Sequence, residues 1–134
     1  MTQATGPFEV KLIPQKHTSE EAENAGLGRM SIDKQFHGDL EGTSKGEMLS
    51  VGTPVKGSAG YVAIERVTGK LHGRSGSFVL QHNATMNRGE PQLNIIVVPD
   101  SGSGDLAELS GTMAIRIVEG KHFYDFTFEL AEAR

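Results

Sequence analysis

Several side chains that could bind a ligand or move a proton cluster in two segments on either side of a candidate turn. Within each segment they are separated by even numbers of residues, so they share one face of an extended strand. Glutamate and histidine are candidate general acids or bases, and arginine suits a carboxylate or a polarised oxygen. The predicted ligand-binding residues are Tyr61, Glu65, Arg74, Phe78 and His82 from these segments, with Tyr124 from a later strand.

The mutual positions of these side chains depend on the turn between the two segments. A two-residue hairpin at Gly69-Lys70 sets Glu65 opposite Arg74 and Tyr61 opposite Phe78. Glu65 and His82 are then the catalytic candidates of a pocket. The alternative is structural, since buried ion pairs perturb pKa values without any catalytic role. In that interpretation Glu65 and Arg74 neutralise one another, and His82 is a hydrogen-bonded core residue.

A second predicted hairpin adds inward-facing charges. Met30, Ile32, Phe36 and Leu40 alternate with polar residues, which indicates a strand with one buried face. Lys34 shares the buried parity. A turn at Gly42-Thr43 would set Phe36 opposite Leu49 and Gly38 opposite Glu47, so that Glu47 also faces inward.

Short alternating segments recur along the whole chain and predict an all-β fold. A polar connection at residues 16–27 carries at most a short helical turn at Glu20–Asn24, and a tight turn at Glu119-Gly120 pairs Ile117 with His122 and Met113 with Phe126. The predicted strands are Phe8–Ile13, Gly28–Leu40, Gly46–Thr53, Ser58–Thr68, Gly73–His82, Gln92–Val98, Glu108–Val118 and His122–Leu130.

Eight strands with short connections favour a single closed antiparallel up-and-down barrel, because closure removes the exposed sheet edges. A two-sheet β-sandwich is the alternative. A barrel of this size is either filled by side chains or holds one small ligand. The 134 residues suit one domain, with a predicted core at about residues 7–131.

Composition excludes several function classes. The chain has no cysteine and a formal net charge of −4, so it offers no thiolate chemistry and no basic face for nucleic acid. No segment resembles a signal peptide or a membrane span, and we expect a cytoplasmic protein. The five histidines lack metal-ligand spacing. Gly102-x-Gly104-x-x-Ala107 lacks the helix that dinucleotide binding requires, so we predict neither metal nor cofactor.

The order and spacing of five motifs resemble a family of small bacterial proteins, the domain-of-unknown-function family numbered 3224. The motifs are Gly38-Asp-Leu-Glu-Gly42, Glu65-x-Val-x-Gly69, Gly73-Arg-x-Gly-Ser-Phe-Val-Leu-Gln-His82, Val97-Val-Pro-x-Ser-Gly-Ser-Gly-x-Leu106 and Gly120-x-His-x-Tyr124. The resemblance implies an eight-stranded barrel similar to that of plant allene oxide cyclases, which dirigent proteins share. It implies no established activity.

Three functions fit these expectations. The first is binding of a small hydrophobic or carboxylate-bearing molecule inside the barrel. The second is an isomerase or cyclase that uses Glu65, Arg74 and His82. The third is a structural module with a filled barrel that forms a homo-oligomer through outer apolar residues such as Val62, Ile64 and Val79. An open cavity that reaches Glu65 and Arg74 would favour the first two functions, and a filled interior would exclude both.

Overall fold

The computed structural model of the protein describes residues 1–130, and most of this range is antiparallel β-structure. The predicted core boundary at residue 131 lies outside the described residues. The elements are β1 (Thr2–Pro14), α1 (Glu20–Asn24), β2 (Gly28–Phe36), β3 (Leu40–Gly52), β4 (Ala59–Leu71), β5 (Arg74–Asn87), β6 (Glu90–Val97), β7 (Ser103–Gly104), β8 (Ser110–Val118) and β9 (Lys121–Glu129).

The eight long strands form a closed barrel, which confirms the predicted fold and not the sandwich. Each long strand pairs with the next along the chain, and β9 returns to pair with β1. The two-residue strand β7 adds to β5 outside this circuit. The one helix within residues 1–130 is the five-residue α1, capped by the Ser19 side chain, and it is too short to cross a membrane.

Three of the hairpins turn at a residue followed by glycine, with both residues at positive φ. They are His72-Gly73, Arg88-Gly89 and Glu119-Gly120. Positive φ at two central residues defines the turn whose twist matches that of the flanking strands, and glycine adopts it without strain. The prediction at Glu119-Gly120 is confirmed, including Ile117 opposite His122 and Met113 opposite Phe126.

The predicted turn at Gly69-Lys70 is wrong. The chain turns three residues later, at His72-Gly73, so Glu65 lies opposite Leu80 and Tyr61 opposite Ala84. The partner of each residue has therefore moved by six positions. Because six is an even number, every side chain keeps its predicted face even though its predicted partner is lost.

The predicted turn at Gly42-Thr43 is also wrong, with a different consequence. The chain turns at Gly38-Asp39, where Gly38 has a φ of 91°, so Phe36 pairs with Gly42 and not with Leu49. This shift is seven positions, an odd number, and it reverses the faces of β3. Glu47 consequently lies outside the barrel, where it forms an ion pair with Arg29.

One end of the barrel is filled by aromatic and aliphatic side chains. Phe78 stacks on Phe126 with ring centroids 5.8 Å apart, and Phe36 meets Tyr124 edge-on. The Tyr124 hydroxyl donates to the His37 carbonyl and accepts from the Leu40 amide, so it fixes the β2–β3 turn. We call this region the filled end.

The glycine-serine segment that follows β6 packs against the filled end. Its Leu106 and Leu109 are buried in the core, and Ser103 Oγ lies 2.7 Å from Ser77 Oγ on β5. The same segment hydrogen-bonds to both backbone groups of Val79. Val79 is therefore buried within the chain, which corrects its assignment to an exposed outer face.

Candidate functional site

A cluster of polar side chains crosses the middle of the barrel and centres on Glu65, which has no exposed surface. Lys34 Nζ lies 2.7 Å from Glu65 Oε2, and His82 Nε2 lies 2.5 Å from the same oxygen. The Ser44 hydroxyl donates to Oε1 at 2.6 Å. We call Lys34, Ser44, Glu65 and His82 the polar cluster. Both oxygens of a buried carboxylate need such partners, because an unpaired charge away from water is energetically unfavourable.

The strands that carry this cluster are not all neighbours. Lys34 lies on β2 and Glu65 on β4, with β3 between them. Gly46 on β3 sits directly opposite Glu65, and a Cβ at this position would come within 2.1 Å of the Ile64 carbonyl oxygen. Glycine thus permits close approach of the two strands and leaves the space above β3 open to the Glu65 side chain.

The cluster holds Glu65 as a carboxylate. Burial by itself raises the pKa of Glu65, but hydrogen bonds and charge from His82 and Lys34 outweigh it and lower the pKa to about 2. A group with this pKa is a poor proton acceptor near neutral pH. Glu65 therefore acts as a fixed negative charge that orients His82 and neutralises Lys34.

The other end of the barrel, beyond the polar cluster, is open. A cavity of about 460 Å³ lies between the ends of β3, β4, β5 and β6, and we call it the mouth cavity. Its inward-facing side chains include Met48, Ser50, Tyr61, Met86 and Leu93. Met86 and Leu93 are 41% and 37% exposed, so residues 1–130 leave apolar surface uncovered at this opening.

Tyr61 stands between the mouth cavity and the polar cluster. Its ring lines the cavity, and its centroid lies 6.4 Å from that of the His82 ring. Within residues 1–130 the Tyr61 hydroxyl has no hydrogen-bond partner, yet no buried side-chain oxygen in that range lacks one. The hydroxyl therefore retains accessible surface. Burial, and then the negative charge of Glu65, raise the pKa of the Tyr61 phenol, so it stays protonated as a hydrogen-bond donor.

Five of the six predicted site residues lie inside the barrel, in two groups. Tyr61, Glu65 and His82 come together at the mouth cavity and the polar cluster. Phe78 and Tyr124 are both fully buried in the filled end, away from the opening. The parity argument placed all five on the inner face, but it did not distinguish one end of the barrel from the other.

Arg74 is not a partner of Glu65, contrary to the pairing predicted from sequence. It lies beside the β4–β5 turn, opposite Leu71. Leu80, which does face Glu65, lies six residues further along β5, a separation of about 20 Å along a strand. The cation that neutralises Glu65 is Lys34, which the sequence placed on the inner face without a partner.

Sequence reasoning missed Ser44 and most of the mouth cavity. Ser44 was assigned to no face, because it lay between the turn predicted at Gly42-Thr43 and the strand predicted to begin at Gly46, whereas β3 begins at Leu40. Met48 was missed because the wrong β2–β3 turn reversed the parity of β3. Met86 was missed because β5 was predicted to end at His82, five residues too early. The available signal was the alternation Phe78, Leu80, His82, Ala84, Met86, which continues without a break to the turn at Arg88-Gly89.

The outer face of β3 and β4 carries exposed apolar side chains. Val62 and Ile64 are each about half exposed, and Leu49 lies beside them. Homo-oligomer formation through this face remains a prediction.

Comparison with known proteins places the whole barrel within one family. The model of the DUF3224 family, described as a protein of unknown function, matches residues 4–128. A solved structure of a DUF3224 protein of unknown function from Shewanella oneidensis MR-1 is 56% identical, with a TM-score of 0.91. The alignment covers 99% of each chain. No similar protein was found among the curated ones.

Proposed function

The chain belongs to the DUF3224 family, and from its geometry we propose that it binds a small, largely apolar molecule in the mouth cavity. The observation that carries this proposal is an open cavity of about 460 Å³ whose inward-facing walls are mainly apolar. Cavities of this size and character are typical of small-molecule sites. The polar cluster lies beyond Tyr61 and does not line the cavity; there Lys34, Ser44 and His82 are each hydrogen-bonded to Glu65.

The open end is lined by apolar side chains that face the cavity from several strands. Met48, Met86 and Leu93 point toward the cavity from three different strands, and methionine side chains adapt readily to ligands of different shape. Burial of this apolar surface by a ligand is favourable at about 25 cal/mol per Å². A bound molecule would therefore stabilise the fold as well as occupy the site.

Titration with the neutral fluorophore N-phenyl-1-naphthylamine tests the proposal. We expect saturable fluorescence enhancement by the wild-type protein, with weakened binding in Leu93→Glu, because a charge at the mouth opposes entry of an apolar molecule. Ile96→Glu is the matched control, since Ile96 lies on the same strand and is 41% exposed but faces outward. Absent binding, or equal loss in both variants, would overturn the proposal.

The enzymatic alternative built on Glu65, Arg74 and His82 gains no support from the geometry. Arg74 lies at the far end of β5, and Glu65 is a fully buried carboxylate paired with Lys34. Similarity to plant allene oxide cyclases, which the sequence motifs suggest, would concern the barrel alone, since a shared fold does not transfer a reaction.

A further inference from the structure

The lining of the mouth cavity specifies the chemical class of the molecule that would fill it. This inference rests on the proposed function and deepens it. We propose that the ligand is an uncharged apolar molecule with a hydrogen-bond acceptor, such as a ketone or ester oxygen, that takes a hydrogen bond from the Tyr61 hydroxyl.

The first support is the charge of the lining. The thirteen residues that line the mouth cavity include no lysine, arginine, histidine, aspartate or glutamate. A carboxylate or an ammonium group inside it would lose part of its hydration without gaining a counter-charge, and that loss is unfavourable. An uncharged ligand avoids this penalty.

The second support is the position of the nearest fixed charges. Lys34 is already neutralised by Glu65 at 2.7 Å and lies 5.2 Å from the ring centroid of Phe8, toward the core. Glu65 lies four residues along β4 from Tyr61, on the same inner face. The carboxylate raises the pKa of the Tyr61 phenol, and the same negative potential disfavours an anion beside the hydroxyl.

The third support is the unused donor. The Tyr61 hydroxyl has accessible surface and no hydrogen-bond partner within residues 1–130, whereas the Tyr124 hydroxyl in the filled end has its donor and acceptor capacity occupied. An uncharged acceptor on the ligand would satisfy Tyr61. A site with one directed donor and apolar walls favours a ligand that carries the matching oxygen over the bare hydrocarbon.

Three compounds with the same ring system test this class: naphthalene, 2-acetylnaphthalene and 2-naphthoate. Their affinities are measured at pH 7.5 by displacement of N-phenyl-1-naphthylamine. We expect the ketone to bind about fivefold more tightly than naphthalene, the effect of one hydrogen bond. We expect the carboxylate to bind at least about tenfold more weakly than the ketone.

Tyr61→Phe should abolish the advantage of the ketone over naphthalene, because only the ketone accepts a hydrogen bond from the hydroxyl. Tyr124→Phe is the matched control, because it also removes a tyrosine hydroxyl but lies outside the mouth cavity, and it should preserve the ketone advantage. A carboxylate that binds as tightly as the ketone, or a ketone advantage that survives Tyr61→Phe, would refute the inference while binding itself stands. If neither the fluorophore nor any of the three compounds binds, the proposed function fails.

Discussion

The two ends of this barrel are built by the same strands but are packed differently. At the filled end, Phe78, Phe126 and Tyr124 are completely buried. Phe78 stacks on Phe126, and Tyr124 meets the Phe36 ring edge-on. At the open end, Met86 and Leu93 occupy equivalent inward positions on β5 and β6 yet remain more than a third exposed. The alternation of inward and outward residues is continuous along each strand, so pattern alone does not distinguish the ends.

The polar cluster lies at the boundary between these two regions. On β4 the inward residues run from Val67 through Glu65 and Ala63 to Tyr61, that is, from the core through the ion pair to the cavity. Because the aromatic core lies at the filled end, we expect that end to supply most of the stability of the fold and the open end to supply little. Four experiments test this division and the polar cluster between the two ends.

The largest expected effect is the loss of an aromatic ring from the filled end. Phe78→Ala should lower the free energy of unfolding by about 4 kcal/mol, because it leaves a cavity in a fully packed core. Met86→Ala at the open end should cost less than about 1 kcal/mol, since its side chain is already partly in water. Urea denaturation measures both, and similar losses would contradict the division between the ends.

Removal of the buried cation should have the next largest effect. Lys34→Met leaves Glu65 as a buried carboxylate without its ammonium partner, and we expect a loss of about 3 kcal/mol in unfolding free energy. The double variant Lys34→Met with Glu65→Gln should recover part of this loss, because the stranded charge is then absent. Additive losses from the two substitutions would show that the two side chains do not interact.

Acid should weaken the fold through Glu65. The pKa of this carboxyl is about 2 in the folded protein, below its ordinary value of 4.5, so the unfolded chain binds more protons between these values. The stabilisation is present above pH 4.5 and is lost as the pH falls toward 2. Between pH 6 and pH 3, wild type should lose about 2 kcal/mol more than Glu65→Gln. Parallel pH profiles of the two proteins in chemical denaturation would argue against a depressed pKa.

The smallest effect separates the two tyrosine hydroxyls. Tyr124→Phe removes the group that binds the His37 carbonyl and the Leu40 amide, and it should cost about 1.5 kcal/mol because it leaves buried backbone groups unpaired. Tyr61→Phe removes a hydroxyl without a partner among the described residues and should leave thermal stability nearly unchanged. A larger loss at Tyr61 than at Tyr124 would reverse the roles assigned to the two ends.

The accuracy of the sequence predictions depended on whether an error in register was even or odd. At the β4–β5 turn the error was six positions, and Tyr61, Glu65 and His82 kept their correct inward face. At the β2–β3 turn the error was seven positions, so Glu47 was placed inside and Met48 was missed. Hairpin register is set by turn chemistry, and several glycines near each turn offered competing positions.

Eight long strands, the closed antiparallel architecture and the inner face of most strands could be predicted from sequence, because residue alternation is a local property. Lys34, Glu65 and His82 were each recognisable as inward-facing. Contact between these side chains depends on the tertiary structure, since Lys34 reaches Glu65 across β3, where Gly46 leaves space. The tertiary structure also decided which end of the barrel is filled and which is open, because that depends on how strands distant in sequence pack their side chains together.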